Sequence, residues 1–243
     1  MKRLLITYIT GLLLTLSGTG GMAQDPAVFD ASYQATSRGL SARAQRSLVE
    51  TDGQYQLSNT LELRVLGARL GRAEEISRFQ WAGQNLVPVE YVYEQTGLGA
   101  RKETVTFDWA AAQAISREDE HVWELPLHEG VQDKLSFQAL LARQLTETGA
   151  TEMSFDVVDN EKIETQLYRV IGDEVIETPL GRFNSVRVDR IREADSPRRT
   201  SFWLARDWSM LLLRLVQVSG NGTETELLLE SATVAGQTVT ALP

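Results

Sequence analysis

The sequence has no cysteine and only two histidines, His121 and His128. The first absence excludes disulfides, a thiolate nucleophile and lipidation at an N-terminal cysteine. The second leaves zinc or copper without an ordinary ligand set, because the two histidines flank Pro126 at a spacing that suits neither helix nor strand. Both read as exposed loop residues. Calcium has one candidate, Asp156 to Glu161, which lacks the glycine and the spacing of a helix-loop-helix calcium site and reads as an acidic turn. There is no G-x-S-x-G elbow, no glycine-rich phosphate loop and no dinucleotide fingerprint. No cofactor is expected.

What is present begins with an address. Lys2-Arg3, an apolar run from Leu4 to Leu16 and small residues from Ser17 to Ala23 have the three parts of a secretory signal. Cleavage is expected after Ala23. The apolar run falls short of the roughly 18 residues that a spanning helix needs. The expectation is a periplasmic protein that does not span a membrane once the signal is removed. Residues 24–243 form one β-rich domain, long enough to bury roughly 70% of its unfolded surface without disulfides. Losing Lys2 and Arg3 takes the formal charge from −9 to −11. So acidic a chain argues against nucleic acid or anionic lipid surfaces as partners.

Strand signals recur at regular spacing. Leu40, Ala42, Ala44 and Leu48 alternate with Ser41, Arg43, Gln45 and Ser47. Beyond an Asp52-Gly53 turn, Tyr55, Leu57, Leu61, Leu63 and Val65 share one face, which predicts a hairpin. Val89, Tyr91 and Tyr93 follow, then Glu103, Val105, Phe107 and Trp109 as another inward set. The period changes once. Phe137, Leu141 and Leu145 stand four apart in a run of helix formers, predicting one principal helix near 133–146 with Asp133 as its cap and Gly149 as its stop. Strands resume at 152–158, 163–170 and 224–234, and a loose tail is expected from about residue 236. The fold class that results is mainly β: a curled antiparallel sheet or partly open barrel, with the helix across its open end or concave face.

Punctuation is densest from Tyr168 to Leu215, which reads as strands joined by turns at Pro179 and Pro197. Phe202 and Leu204 share one face there, Trp203 and Ala205 the other, and Met210 to Val218 is apolar on both. The order Gly172-x-Glu174, Thr178-Pro-x-Gly181-x-Phe183, then Phe202-Trp-Leu-Ala-x-Asp207 resembles a bacterial exported family catalogued as domain of unknown function 3108. So do Asp133-x-Leu-Ser136, Tyr33, Asp52-Gly-x-Tyr55 and Pro88 before Tyr91. One departure is the run Leu211 to Leu213, where family members often carry a proline. The resemblance covers nearly all of the mature chain and implies an exported β-rich domain with no established activity.

Three functional readings follow. A curled sheet leaves an apolar interior, so the first is a binding or accessory protein for a lipid, an acyl chain or a segment of an envelope protein. Its candidate residues are Tyr91, Tyr93 and Trp203 as walls and Arg206 at the rim. The second is an envelope hydrolase using carboxylates among Asp133, Glu177 and Asp207, which requires two of them in one cleft within about 10 Å. A structural partner in an envelope assembly is a third, with no sequence feature of its own. The arginines from Arg182 to Arg206 are read as pairing with the acids interleaved among them. Oligomeric state is not encoded in any of these features.

Overall fold

A computed structural model describes residues 26–65, 68–97 and 99–243, so the expected signal segment lies outside the described residues. The strands are β1 (Phe29–Ser37), β2 (Leu40–Thr51), β3 (Gln54–Val65), β4 (Ala68–Ala82), β5 (Asn85–Gly97), β6 (Arg101–Asp108), β7 (Gln113–Glu118) and β8 (His121–Pro126). The helix α1 (Ser136–Glu147) comes next. It is followed by β9 (Glu152–Asp159), β10 (Lys162–Thr178), β11 (Gly181–Ile191), β12 (Arg199–Ala205), β13 (Leu211–Val218), β14 (Glu224–Val234) and the short β15 (Gln237–Thr238).

All fifteen belong to one antiparallel sheet in the order β8-β7-β6-β5-β4-β3-β2-β1-β14-β13-β12-β11-β10-β9, with β15 beside β14. The chain therefore starts in the middle, zigzags out to β8, crosses to β9 and zigzags back until β14 pairs with β1. The crossing is made by residues 127–135 and α1. The expected Asp52-Gly53 hairpin is present, both residues taking positive φ (53° and 77°) as a primed turn requires. The sheet does not close into a barrel. Its two ends are held near each other by side chains instead: Asn160 Nδ2 donates to Glu118 Oε2 at 2.9 Å, and Lys134 Nζ reaches both Glu103 and Asp159 at 2.8 Å. Burial alone would lower the Lys134 ammonium, but the two carboxylates outweigh it and raise it. The outer edge of β9 is covered by Gln132, whose backbone N–H and C=O bond to Asp156 and Val158.

The curl wraps the helix. No residue from Val131 to Leu145 is exposed, so α1 is buried nearly all round rather than along one stripe. Phe137 packs on Phe155 and Tyr168, joining Leu141 and Leu145 to the core built by β9–β14. Leu135 and Ala139 belong to a second core with Leu57, Phe79, Tyr91 and Phe107 of the opposite wall. Asp133 caps the helix from just before it, Oδ1 accepting from the N–H groups of Leu135 and Ser136 at 2.8 and 2.7 Å.

Two expectations need correction. Alternation puts Val89 in phase with Tyr91, yet Val89 is exposed while Tyr91 is buried, because a bulge at Arg78/Phe79 pairs Phe79 with Pro88 and Arg78 with Glu90 and leaves Val89 unmatched. The tail expected to be loose is docked. Val239 is buried and its N–H bonds to Ala232 O at 2.9 Å, Leu242 N–H bonds to Arg182 O at 2.8 Å, and Ala241 lies against Gly181. Gly181 has φ +131°, and a Cβ there would sit 2.4 Å from that of Ala241. The Thr178-Pro-Leu-Gly turn is thus the seat of the tail.

Candidate ligand-binding cleft

Alternation along the strands leaves one part of the interior unfilled. Phe202 and Leu204 on β12 point inward, as do Leu48 on β2 and Leu57 on β3, while the apolar residues that α1 presents toward them are the small Ala139 and Ala142. The result is a cleft of about 460 Å³ between the helix and the sheet. Phe29 closes one side, and Met210, Leu211 and Leu212 another. Met210 reaches it through a tight connection in which Ser209 and Met210 both take positive φ (51° and 58°) and Met210 N–H bonds to Ala205 O. Among the described residues lining the cleft, the charged ones are Arg46, Arg143 and Glu147.

Arg46 belongs to a polar row running across the inner face. By register, Arg46 stands opposite Asn59, Asn59 opposite Glu75, Glu75 opposite Tyr93, Tyr93 opposite Glu103 and Glu103 opposite Glu118. Arg46 Nη1 donates to Asn59 Oδ1 at 3.0 Å, Asn59 Nδ2 to Glu75 Oε2 at 2.9 Å, and Tyr91 Oη to Glu75 Oε1 at 2.8 Å. Both ionisable ends lie deep in the curl while keeping partial solvent contact. Desolvation pushes Glu75 up despite its hydrogen bonds, and lowers Arg46 despite the nearby Tyr33 and Glu75. Tyr91 is pushed well up by burial and by Glu75.

Arg143 is held differently. It is 7% exposed in the middle of α1. Its Nε donates to Glu147 at 2.8 Å, its Nη1 to Gly83 O at 3.1 Å, and its guanidinium carbon lies 4.4 Å from the centre of the Trp81 ring. Helix and β4–β5 turn are thereby clamped together at one end of the cleft.

None of the four residues expected to form the site lines this cleft. Tyr91 and Tyr93 do come together in the interior, around Glu75, where Tyr93 also donates to Gln95 Oε1 at 2.7 Å and lies under Arg101. Trp203 is on the other face of β12 from Phe202 and Leu204, between Arg187 and Arg214, its indole N–H on Glu174 Oε1 at 2.6 Å. Arg206 is paired with Asp173 at 2.6 Å. Of the seven arginines from Arg182 to Arg206, Arg187 also pairs with Asp189 and Arg190 with Glu164, so the acids interleaved among them supply one partner and β10 the others.

The three suspected acids do not share a cleft. Asp133 is fully buried and accepts from Ser77 Oγ at 2.7 Å besides capping α1, and burial pushes its carboxyl up to about 6. Glu177 is exposed on β10, and Asp207 is exposed and accepts from Asn184. Among the described residues no group of three histidine or carboxylate side chains could hold a metal ion, and no helix is long and apolar enough to cross a membrane. Arg46, Asn59, Glu75 and Arg143 were missed from sequence. For Arg46 and Asn59 a signal exists: each is a polar residue in phase with a buried apolar set, Arg46 with Ala44 and Leu48, Asn59 with Tyr55 and Leu57.

Comparison with known proteins accords with this architecture. The family described as Protein of unknown function (DUF3108) matches residues 29–229, and the chain belongs to it. No curated protein matches the chain in sequence. In structure it is similar to a β-barrel-like protein of domain of unknown function DUF1849 from Brucella abortus. There the TM-score is 0.57 at 9% identity, over 86% of this chain and 98% of that one. It also matches a chain of the MucA/MucB complex of Pseudomonas aeruginosa, with TM-score 0.38 and 11% identity over 87% of this chain and 53% of that one. The first likeness establishes a shared fold.

Proposed function

We propose that this DUF3108 member is a non-enzymatic binding protein of the periplasm that takes up an apolar, envelope-derived chain in the cleft between α1 and the sheet. The observation that carries the reading is the cleft itself: about 460 Å³, walled by Phe29, Leu48, Leu57, Phe202, Leu204 and Leu212. That volume falls in the range of small-molecule sites, roughly 300–1,000 Å³. Apolar walls of this kind favour removal of a hydrocarbon from water at about 25 cal/mol per Å² buried. The signal-like start of the chain supports the periplasmic address.

Native mass spectrometry of the protein purified gently from its own envelope is the direct test. The expected spectrum contains a lipid-sized adduct on the wild type, lost when Ala142→Trp fills the cleft from the helix side. A bare wild-type protein, or an adduct indifferent to Ala142→Trp, would overturn the reading.

A further inference from the structure

The cleft has one end that apolar packing does not explain. Long charged side chains are seldom buried unless paired, and Arg143 is buried with its pairing incomplete. Nε and Nη1 have acceptors and the guanidinium face has Trp81, but Nη2 is sealed from solvent with no partner. The Trp81 indole N–H is likewise buried without a partner. Two unpaired donors therefore belong to two side chains stacked on each other, one of them a cleft residue. Each unsatisfied donor costs free energy that an acceptor would recover.

We infer that Arg143 and Trp81 form an oxyanion subsite at the α1 end of the cleft, and that the occupant is a long-chain carboxylate. This rests on the binding reading above. Two N–H donors suit the two oxygens of a carboxylate, and a guanidinium strengthens such bonds by its charge. The lining side chains carry two arginines against one glutamate, a surplus of one positive charge in a chain whose formal charge is −9. A monoanion matches that surplus and a phosphate dianion does not. Glu147 holds Nε and Gly83 O holds Nη1, which leaves Nη2 as the guanidinium nitrogen without an acceptor. The tail of the ligand then runs along Leu48, Leu57, Phe202 and Leu204.

Calorimetric titration with dodecanoate and with dodecanol, both below their aggregation concentrations, tests the assignment. Wild type is expected to bind the acid roughly tenfold more tightly than the alcohol. Arg143→Met should abolish that preference by weakening the acid alone. Trp81→Phe keeps the stack and removes only the N–H, so it should reduce the preference even if Arg143→Met folds poorly. Equal wild-type affinities would overturn the oxyanion subsite and leave the apolar cleft reading standing. A preference that survives Trp81→Phe and Arg143→Met would also overturn the assignment to these residues. Binding of neither probe would overturn the cleft reading and the subsite with it.

Discussion

Asp133 shows how one buried residue imposes a pH dependence on the whole fold. Desolvation outweighs its hydrogen bonds from Ser77, Leu135 and Ser136, so the folded protein holds the proton to about pH 6, against an ordinary value of 3.8. The folded state therefore binds more protons than the unfolded one between those values, and this group's contribution to stability falls as pH rises through them. Asn can keep the backbone bonds that cap α1 and face Ser77 with its amide. Asp133→Asn is expected to gain stability relative to wild type from pH 4 to pH 6, by on the order of 2–3 kcal/mol. Urea denaturation at both pH values checks this, and a constant difference would refute it. That Asp133 starts the helix was legible, since an acid three residues before Ser136 is an ordinary cap signal. That Ser77, fifty-six positions earlier, donates to it was not. Long-range polar pairs leave no local trace.

At the level of elements, strand phase was readable until a bulge reset it. Tyr55 and Leu57 are inward as the alternation implies, whereas Val89 is turned out by the bulge at Arg78/Phe79. A bulge inserts one residue without altering composition, which is why period counting passes over it. The β12–β13 connection carries the plainest local cost. Ser209 and Met210 both sit in the left-handed region, which is unfavourable for residues bearing a Cβ. Ser209→Gly should raise stability by up to about 1 kcal/mol in equilibrium denaturation. The opposite holds at the β10–β11 turn. Gly181→Ala would meet Ala241 and lie at a φ that alanine avoids, so a loss of roughly 1–3 kcal/mol is expected, with faster proteolysis of the released tail. The motif glycine was visible in sequence, but its partner, eight residues of apparent tail, was not, because docking depends on a surface built by other strands.

Across the whole molecule, the sequence conveyed a curled antiparallel sheet with one helix across its open end or concave face, and placed Phe202 and Leu204 on one face and Trp203 on the other. It did not convey which face would be left hollow. The aromatics that drew attention, Tyr91, Tyr93 and Trp203, satisfy their polar atoms within the protein, and the open space formed where alanines on α1 meet the sheet. Voids are set by what is small, and small residues carry little signal. The order of the strands has a further consequence, in time rather than space. Phe29 pairs with Val234, so the seam between β1 and β14 joins the first strand to the last long one. A chain delivered N-terminus first can lay down hairpin after hairpin outward from β1, yet one edge of β1 stays bare until β14 arrives. Such late, non-local pairing slows folding and leaves a template for strand addition in the interval. Chains interrupted before Glu224 would carry that open edge permanently, so residues 224–243 decide whether β1 is covered by its own chain or left to pair with a neighbour's.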